Sequence, residues 1–189
     1  MGGRLIIFLI VVLLITGCVQ EKAEQTETAE PATALAGKEV VRMPGLKISS
    51  PEFANNGNIP SKYACDGDGV SPPLEITGVP EGAKSLVLMV DDPDAPAGTW
   101  GHWIVWDIPA STSAIGEGTA PGTEGLNDFK KTSYGGPCPP SGTHRYFFRL
   151  YALDIGLGLP PAAKKNEVEA AMQGHIIAQA ELVGLYHRG

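Results

Sequence analysis

The chain is short of what several common functions require. Charged residues make up 19% of it, and acids outnumber bases 21 to 14, a formal net charge of −7. Lys and Arg form no basic stripe, which argues against binding nucleic acid through its phosphates. A small anion meets only a local pocket and is not excluded. Cysteine is scarce: there are 3, at positions 18, 65 and 138. Neither a Cys-x-x-Cys nor a His-x-x-x-His spacing occurs, which argues against a zinc site; no metal and no cofactor is expected. No Gly-x-Ser-x-Gly nucleophile motif is present. Internal repeats and coiled-coil heptads are missing as well. No apolar run approaches the roughly 20 residues that span a bilayer as a helix.

What is abundant is Gly, with 24, and Pro, with 16, in a chain of 189 residues. They follow no fixed period, so they mark many turns between short strands rather than a fibrous repeat.

The longest apolar run, Leu5 to Ile15, follows the single positive charge of Arg4. A short apolar core behind a positive start has the form of an export signal. It ends in Ile15-Thr16-Gly17-Cys18, which resembles the lipobox of prokaryotic lipoproteins. That resemblance implies a signal peptide over residues 1–17, cleavage before Cys18 and lipidation of Cys18. An uncleaved membrane anchor that ends in cysteine is the alternative. On either reading the remainder is expected outside the cytoplasm, anchored to the cell membrane. Residues 18–43 contain no aromatic side chain and are rich in Glu, Ala and Thr. They bury too little apolar surface to offset ordering entropy. A disordered tether is expected, with an r.m.s. reach of roughly 25–30 Å. Glu and Ala would also favour a helix, but the segment has no apolar stripe.

A folded domain is expected over residues 44–189. Strands are predicted at the start, in "GLKISSPEF", and in the runs 85–92, 101–109 and 144–154, each bounded by Gly, Pro, Asp or Ser. "NEVEAAMQG" (166–174) reads as a helix, with Asn166 as N-cap and Gly174 at C′. "IIAQAELVGLYH" alternates at period two from Ala178 to Tyr186 and reads as a final strand. Short strands, turn-rich connections and one or two short helices predict an all-β sandwich.

Chemistry-bearing residues gather at loop–strand junctions. "DDPDAPAGTWGHW" (91–103) places Asp92 and Asp94 where a strand ends and His102 where the next begins. "CDGDGVSPPLE" (65–75) is a turn-rich loop. In "YGGPCPPSGTHRYFFRLYALD" (134–154), His144 and Tyr146 are two apart and share one strand face, while Arg145 points to the other. Each feature has an ordinary structural explanation: Asp-Pro-Asp is a common turn, and a histidine between tryptophans is often a core residue.

"DPDAP", then "GHWIVWDIP", then "YGGPCPP" with "GTHRYFFRLYALD", together resemble the phosphatidylethanolamine-binding protein family, in particular its prokaryotic Raf kinase inhibitor-like branch. The resemblance covers about residues 46–187, including "SPPLE" and the closing "GHIIAQAELVGLY". It implies a β-sandwich with a small pocket for phosphate, a phospholipid head group or a similar anion. It carries Asp92, Asp94, His102, His144 and Tyr146 into the pocket lining, and the backbone N–H of Cys138, before Pro139-Pro140, as a donor. The loop between the Pro-Pro pair and His144 is only Ser141-Gly142-Thr143, shorter than in eukaryotic members, and no eukaryote-like C-terminal helix is evident. The resemblance also brings the loops of Cys65 and Cys138 close, making a Cys65–Cys138 disulfide the expectation outside the cytoplasm; two free thiols are the alternative.

An aspartate within about 4–6 Å of a histidine favours the imidazolium, which would donate to the anion, so affinity is expected to fall as pH rises. Arg145, facing away, is expected to pair with a buried carboxylate. The expected role is a non-catalytic anion-binding protein. The family name adds inhibition of kinases or proteases, of which an exported chain would meet the proteases. A hydrolase using the Asp and His residues through a metal or as acid and base is the alternative.

Overall fold

A computed structural model describes residues 45–188. The signal-peptide, lipidation and tether expectations, including Cys18, lie outside the described residues. Among the described residues nine strands run in the order β1 (Lys47–Ser49), β2 (Gly57–Asn58), β3 (Leu74–Thr77), β4 (Ser85–Asp92), β5 (Trp100–Pro109), β6 (Ala114–Ile115), β7 (Thr123–Glu124), β8 (Thr143–Leu153) and β9 (Ile176–His187). A 3-10 turn covers Ser61–Tyr63, and one α-helix, α1 (Lys165–Met172), precedes β9. The strands form a three-stranded sheet, β1-β3-β6, and a six-stranded sheet, β2-β9-β8-β4-β5-β7. The expected mostly-β sandwich is observed, and the ambiguous last segment is a strand of 12 residues antiparallel to β8.

The main core lies between the sheets. Leu46, Ile48, Leu74, Ile76 and Ile115 from the small-sheet side meet Leu86, Leu88, Val90, Trp103, Phe148 and Leu150 from the large one. A second core lies on the other face of the large sheet, where Val87, Met89, Ile104 and Trp106 pack against Val168 and Met172 of α1. Every residue of β4 is therefore buried. This explains why "SLVLMVDD" reads as a continuous apolar run instead of alternating: both of its faces are covered.

The helix begins two residues earlier than expected, and Asn166 is not its cap. Lys164 occupies the N-cap, and its backbone N–H donates to the Glu167 carboxylate at 2.7 Å. Glu at the third helical position satisfies that donor, and the carboxylate also suits the positive end of the helix. Gly174 follows the helix at φ +78°, a left-handed conformation that glycine adopts without a Cβ penalty. Lys165 Nζ reaches across to the buried Asp91 carboxylate at 2.6 Å, which also receives Arg149 at 3.2 Å. The helix is thus tied to the sheet by a partnered buried charge as well as by apolar packing.

Burial on both faces of β4 has a measurable consequence. Leu88→Ala, facing the small sheet, and Met89→Ala, facing α1, are each expected to lower unfolding stability by about 2–5 kcal/mol. Urea denaturation checks this. A near-neutral Met89→Ala would mean that the α1 layer does not seal the outer face.

Candidate functional site

The candidate residues meet at one end of the large sheet, where β4 and β8 stop pairing. The last ladder partners there are Asp91 and Phe147. Beyond them, side chains join the strands. His144 Nδ1 lies 2.7 Å from Asp92 Oδ2, with side-chain exposures of 9% and 5%. An ionised carboxylate can only accept, so Nδ1 carries the proton and Nε2 is left for another partner. The other Asp92 oxygen accepts the Asp94 backbone N–H at 2.9 Å. This is the turn that the Asp-Pro-Asp sequence favours, and it fixes the Asp92 carboxyl.

Asp94 is turned differently. Its carboxylate accepts Arg145 Nε at 2.9 Å, an Arg145 terminal nitrogen at 2.7 Å and the Arg145 backbone N–H at 3.0 Å. Arg145 therefore pairs with one of the candidate residues, and not with a buried carboxylate: the Asp94 side chain is 27% exposed. The pairing holds the Asp94 carboxyl down at about 2, with the Arg145 hydrogen bond as the largest cause. Asp94 is neutralised here and locks the strand end.

His102 reaches the cluster through an irregularity. Val90 pairs with Trp103 and Asp91 with Gly101, so His102 is an extra residue in β5. Strict alternation would put it on the α1 face with Ile104 and Trp106; the β-bulge re-aims it. Its ring lies edge-on to Tyr146, centroids 5.2 Å apart, and to Phe129 at 5.1 Å. Nδ1 donates to the Gly135 carbonyl at 2.7 Å, and Gly135 N–H returns a bond to the His102 carbonyl at 2.9 Å. Burial pushes the His102 imidazole below its ordinary range, outweighing the Gly135 carbonyl and the Asp92 and Asp91 carboxylates, which pull it up. The expectation of an imidazolium fails at this residue because desolvation outweighs the nearby charges. Neutral, with its proton on Nδ1, the ring offers Nε2 as an acceptor.

Tyr146 is fully buried, and its hydroxyl has no hydrogen-bond partner. Burial first, and then the Asp92 carboxylate, raise its pKa; the Cys138 backbone N–H acts in the opposite sense. The hydroxyl stays protonated and available as a donor, close to both groups but in hydrogen-bond geometry with neither.

Cys138 lies on the loop 134–142 that walls this end. Its Sγ is bonded to Cys65, with the Cα atoms 5.4 Å apart, and the Cys65 N–H donates to the Pro137 carbonyl at 3.0 Å. The two glycines of "YGGPCPP" allow the approach: a Cβ on Gly136 would fall 2.8 Å from the Tyr63 carbonyl oxygen, and one on Gly135 would meet the Phe129 ring. The structure thus gathers Asp92, His102, Cys138, His144 and Tyr146 and turns the Asp94 carboxylate aside.

Sequence reasoning missed two supporting residues. Tyr186 sits opposite His144 in the β8–β9 register and hydrogen-bonds Asp66 of the turn-rich loop. The period-two pattern of β9 contained that signal. Asn127, 2% exposed, donates to the carbonyls of His102 and Ser133 and accepts from Lys131 N–H, which holds the loop beneath His102. Its bonds to Lys131 and Ser133 are local, but the one to His102 spans 25 positions, and that is the one that places it under the site. A cleft of about 320 Å³ between β5, the loop at 126–130 and the start of α1 has none of the candidate residues in its lining.

The Asp94–Arg145 pair makes stability depend on acid. A carboxyl held at about 2 when folded and 3.8 when unfolded contributes stability that is complete above 3.8 and is lost as pH falls to about 2. Wild type is expected to exceed Asp94→Asn in urea midpoint at neutral pH. The difference should close across that acid window; a constant gap would show that ionisation is not its source.

Residues 49–187 match the family model described as phosphatidylethanolamine-binding protein. A UPF0098 protein of Methanothermobacter thermautotrophicus is 49% identical over 151 residues, covering 76% of this chain and all of that protein. A solved structure of a phosphatidylethanolamine-binding protein homolog from Chlamydia trachomatis is 43% identical with a TM-score of 0.74, covering 76% of this chain and 98% of that one. The structure of Escherichia coli YbcL, described as a member of the mammalian PEBP family, is 30% identical with a TM-score of 0.71, covering 76% and 99%. The fold, the motifs and these likenesses agree: the chain belongs to the phosphatidylethanolamine-binding protein family.

Proposed function

We propose that the chain is a non-catalytic binding protein whose Asp92–His144 end holds phosphate, a phosphorylated head group or a similar small anion. The observation that carries this reading is the buried Tyr146 hydroxyl without a partner. Leaving a buried hydroxyl unpaired costs about 1–3 kcal/mol, and a bound anion would recover that cost. The surrounding groups suit the task. Asp92 orients His144 and occupies its Nδ1, so the carboxylate serves as a fixed partner of the ring instead of facing the anion. The Cys138 N–H adds a backbone donor, and burial strengthens each of these bonds. With the export signal read from residues 1–17, the reading extends to an extracytoplasmic, membrane-anchored protein that meets lipid head groups or exported proteases, and not cytosolic kinases.

Calorimetric titration of the full chain with inorganic phosphate tests it. Wild type is expected to bind, and Tyr146→Phe to weaken affinity about tenfold, the effect of one lost hydrogen bond to a charged group. Equal affinity in the two proteins would overturn the assignment of Tyr146. Steady turnover of a phosphate ester would point to the hydrolase instead.

A further inference from the structure

We propose that the Cys65–Cys138 disulfide is a redox control on the anion pocket, with Cys65 as a positioning residue. The proposal rests on the reading above, in which the Cys138 N–H meets the anion. It adds that this donor is held in place by a bond that can be opened.

Cys138 joins the two roles in one residue. Its backbone N–H influences the Tyr146 hydroxyl without forming a hydrogen bond to it, and its side chain is bonded to Cys65. The two loops differ in how firmly each is held. The Cys65 loop has its own ties: Ala64 N–H to the Ser61 carbonyl at 2.9 Å, Gly67 N–H to Ala64 at 3.1 Å, Gly69 N–H to Lys62 at 3.0 Å, and the Asp66–Tyr186 bond. The Cys138 segment is "PCPP". Its prolines have no N–H to donate, so the backbone can hold it through few hydrogen bonds. The disulfide and the Cys65 N–H to Pro137 carbonyl bond fasten the PCPP segment to the Cys65 loop.

Access is uneven in the same direction. Asp92, His102, His144 and Tyr146 are all buried. Cys65 is exposed and Cys138 half-buried. A reductant therefore reaches the bridge without entering the pocket, and thiol–disulfide exchange depends on such access. The chemistry needs a dithiol. One of its thiolates attacks the Cys65 sulfur, the S–S bond breaks, and Cys138 leaves as a thiolate that takes up a proton. The second thiol of the reductant then displaces Cys65 and closes the reductant's own disulfide. Two electrons and two protons pass to the protein. In the opened state the Pro-rich segment loses its covalent tie, and the Cys65 N–H to Pro137 carbonyl bond alone aims the peptide unit that carries the N–H of residue 138.

The test is a phosphate titration of the full chain, oxidised and after reduction with dithiothreitol, at a temperature where near-UV dichroism shows the reduced form folded. Reduction is expected to weaken phosphate affinity about tenfold, as for one lost charge-assisted bond. The Cys65→Ser, Cys138→Ser double variant keeps the backbone N–H of residue 138 and should reproduce the weak state without reductant. Backbone amide NMR separates positioning from general stability. In the oxidised protein the Cys138 amide should shift on phosphate addition; in the reduced protein that response should fall away while the His144 ring still responds. Equal affinity in both redox states would overturn the redox control and leave the anion reading intact. Failure of the oxidised protein to bind phosphate would overturn both. Loss of the folded dichroism signal on reduction at every temperature would make the bridge a folding element only and would likewise overturn the control.

Discussion

The Asp92–His144 bond is the contact around which this end of the molecule is organised. Two strands that pair through Asp91 and Phe147 separate beyond that point. A buried carboxylate and imidazole, 2.7 Å apart, then replace the backbone ladder. A charge in that position is tolerated only with a hydrogen-bonded partner. Partnering has a chemical consequence: it commits Nδ1 of His144 to Asp92 and leaves the opposite ring nitrogen for other use. The same contact joins the ends of β4 and β8 within the large sheet.

The consecutive acids of β4 show how a fully buried strand can carry charge. Adjacent strand residues face opposite layers. Asp91 points outward to Lys165 and Arg149, and Asp92 points inward to His144. Asp94, two residues on, takes Arg145. Each carboxylate has its own cationic or ionisable partner, each from a different position on β8 or α1. The acidic turn is thereby distributed over three separate contacts, and no group of His, Cys, Asp and Glu among the described residues is arranged to hold a metal ion.

The long strands β4, β5 and β8, the last strand and the helix were legible in the sequence because each depends on local features: apolar runs bounded by Pro and Gly, a period-two alternation, and Gly174 after the helix; the two-residue strands β2 and β7 carry no such signal. The shared face of His144 and Tyr146 was legible for the same reason, since strand parity is fixed by the backbone. The helix cap was not. Lys164 has no capping propensity, and the signal lay in Glu167, whose carboxylate reaches back to the first free N–H.

The candidate residues, the strand faces they share and the loop composition that lets the backbone approach them can be read along the chain, because chirality and side-chain alternation are local properties. Tertiary structure decided their roles. A bulge against β4 moved His102 from the α1 face to Tyr146, and the register of two strands set that bulge. The proximity of Arg145 gave the Asp94 carboxylate a cationic partner. Burial outweighed the neighbouring acids in keeping His102 neutral. All of these depend on distances between residues far apart in the chain, which only the folded sandwich specifies.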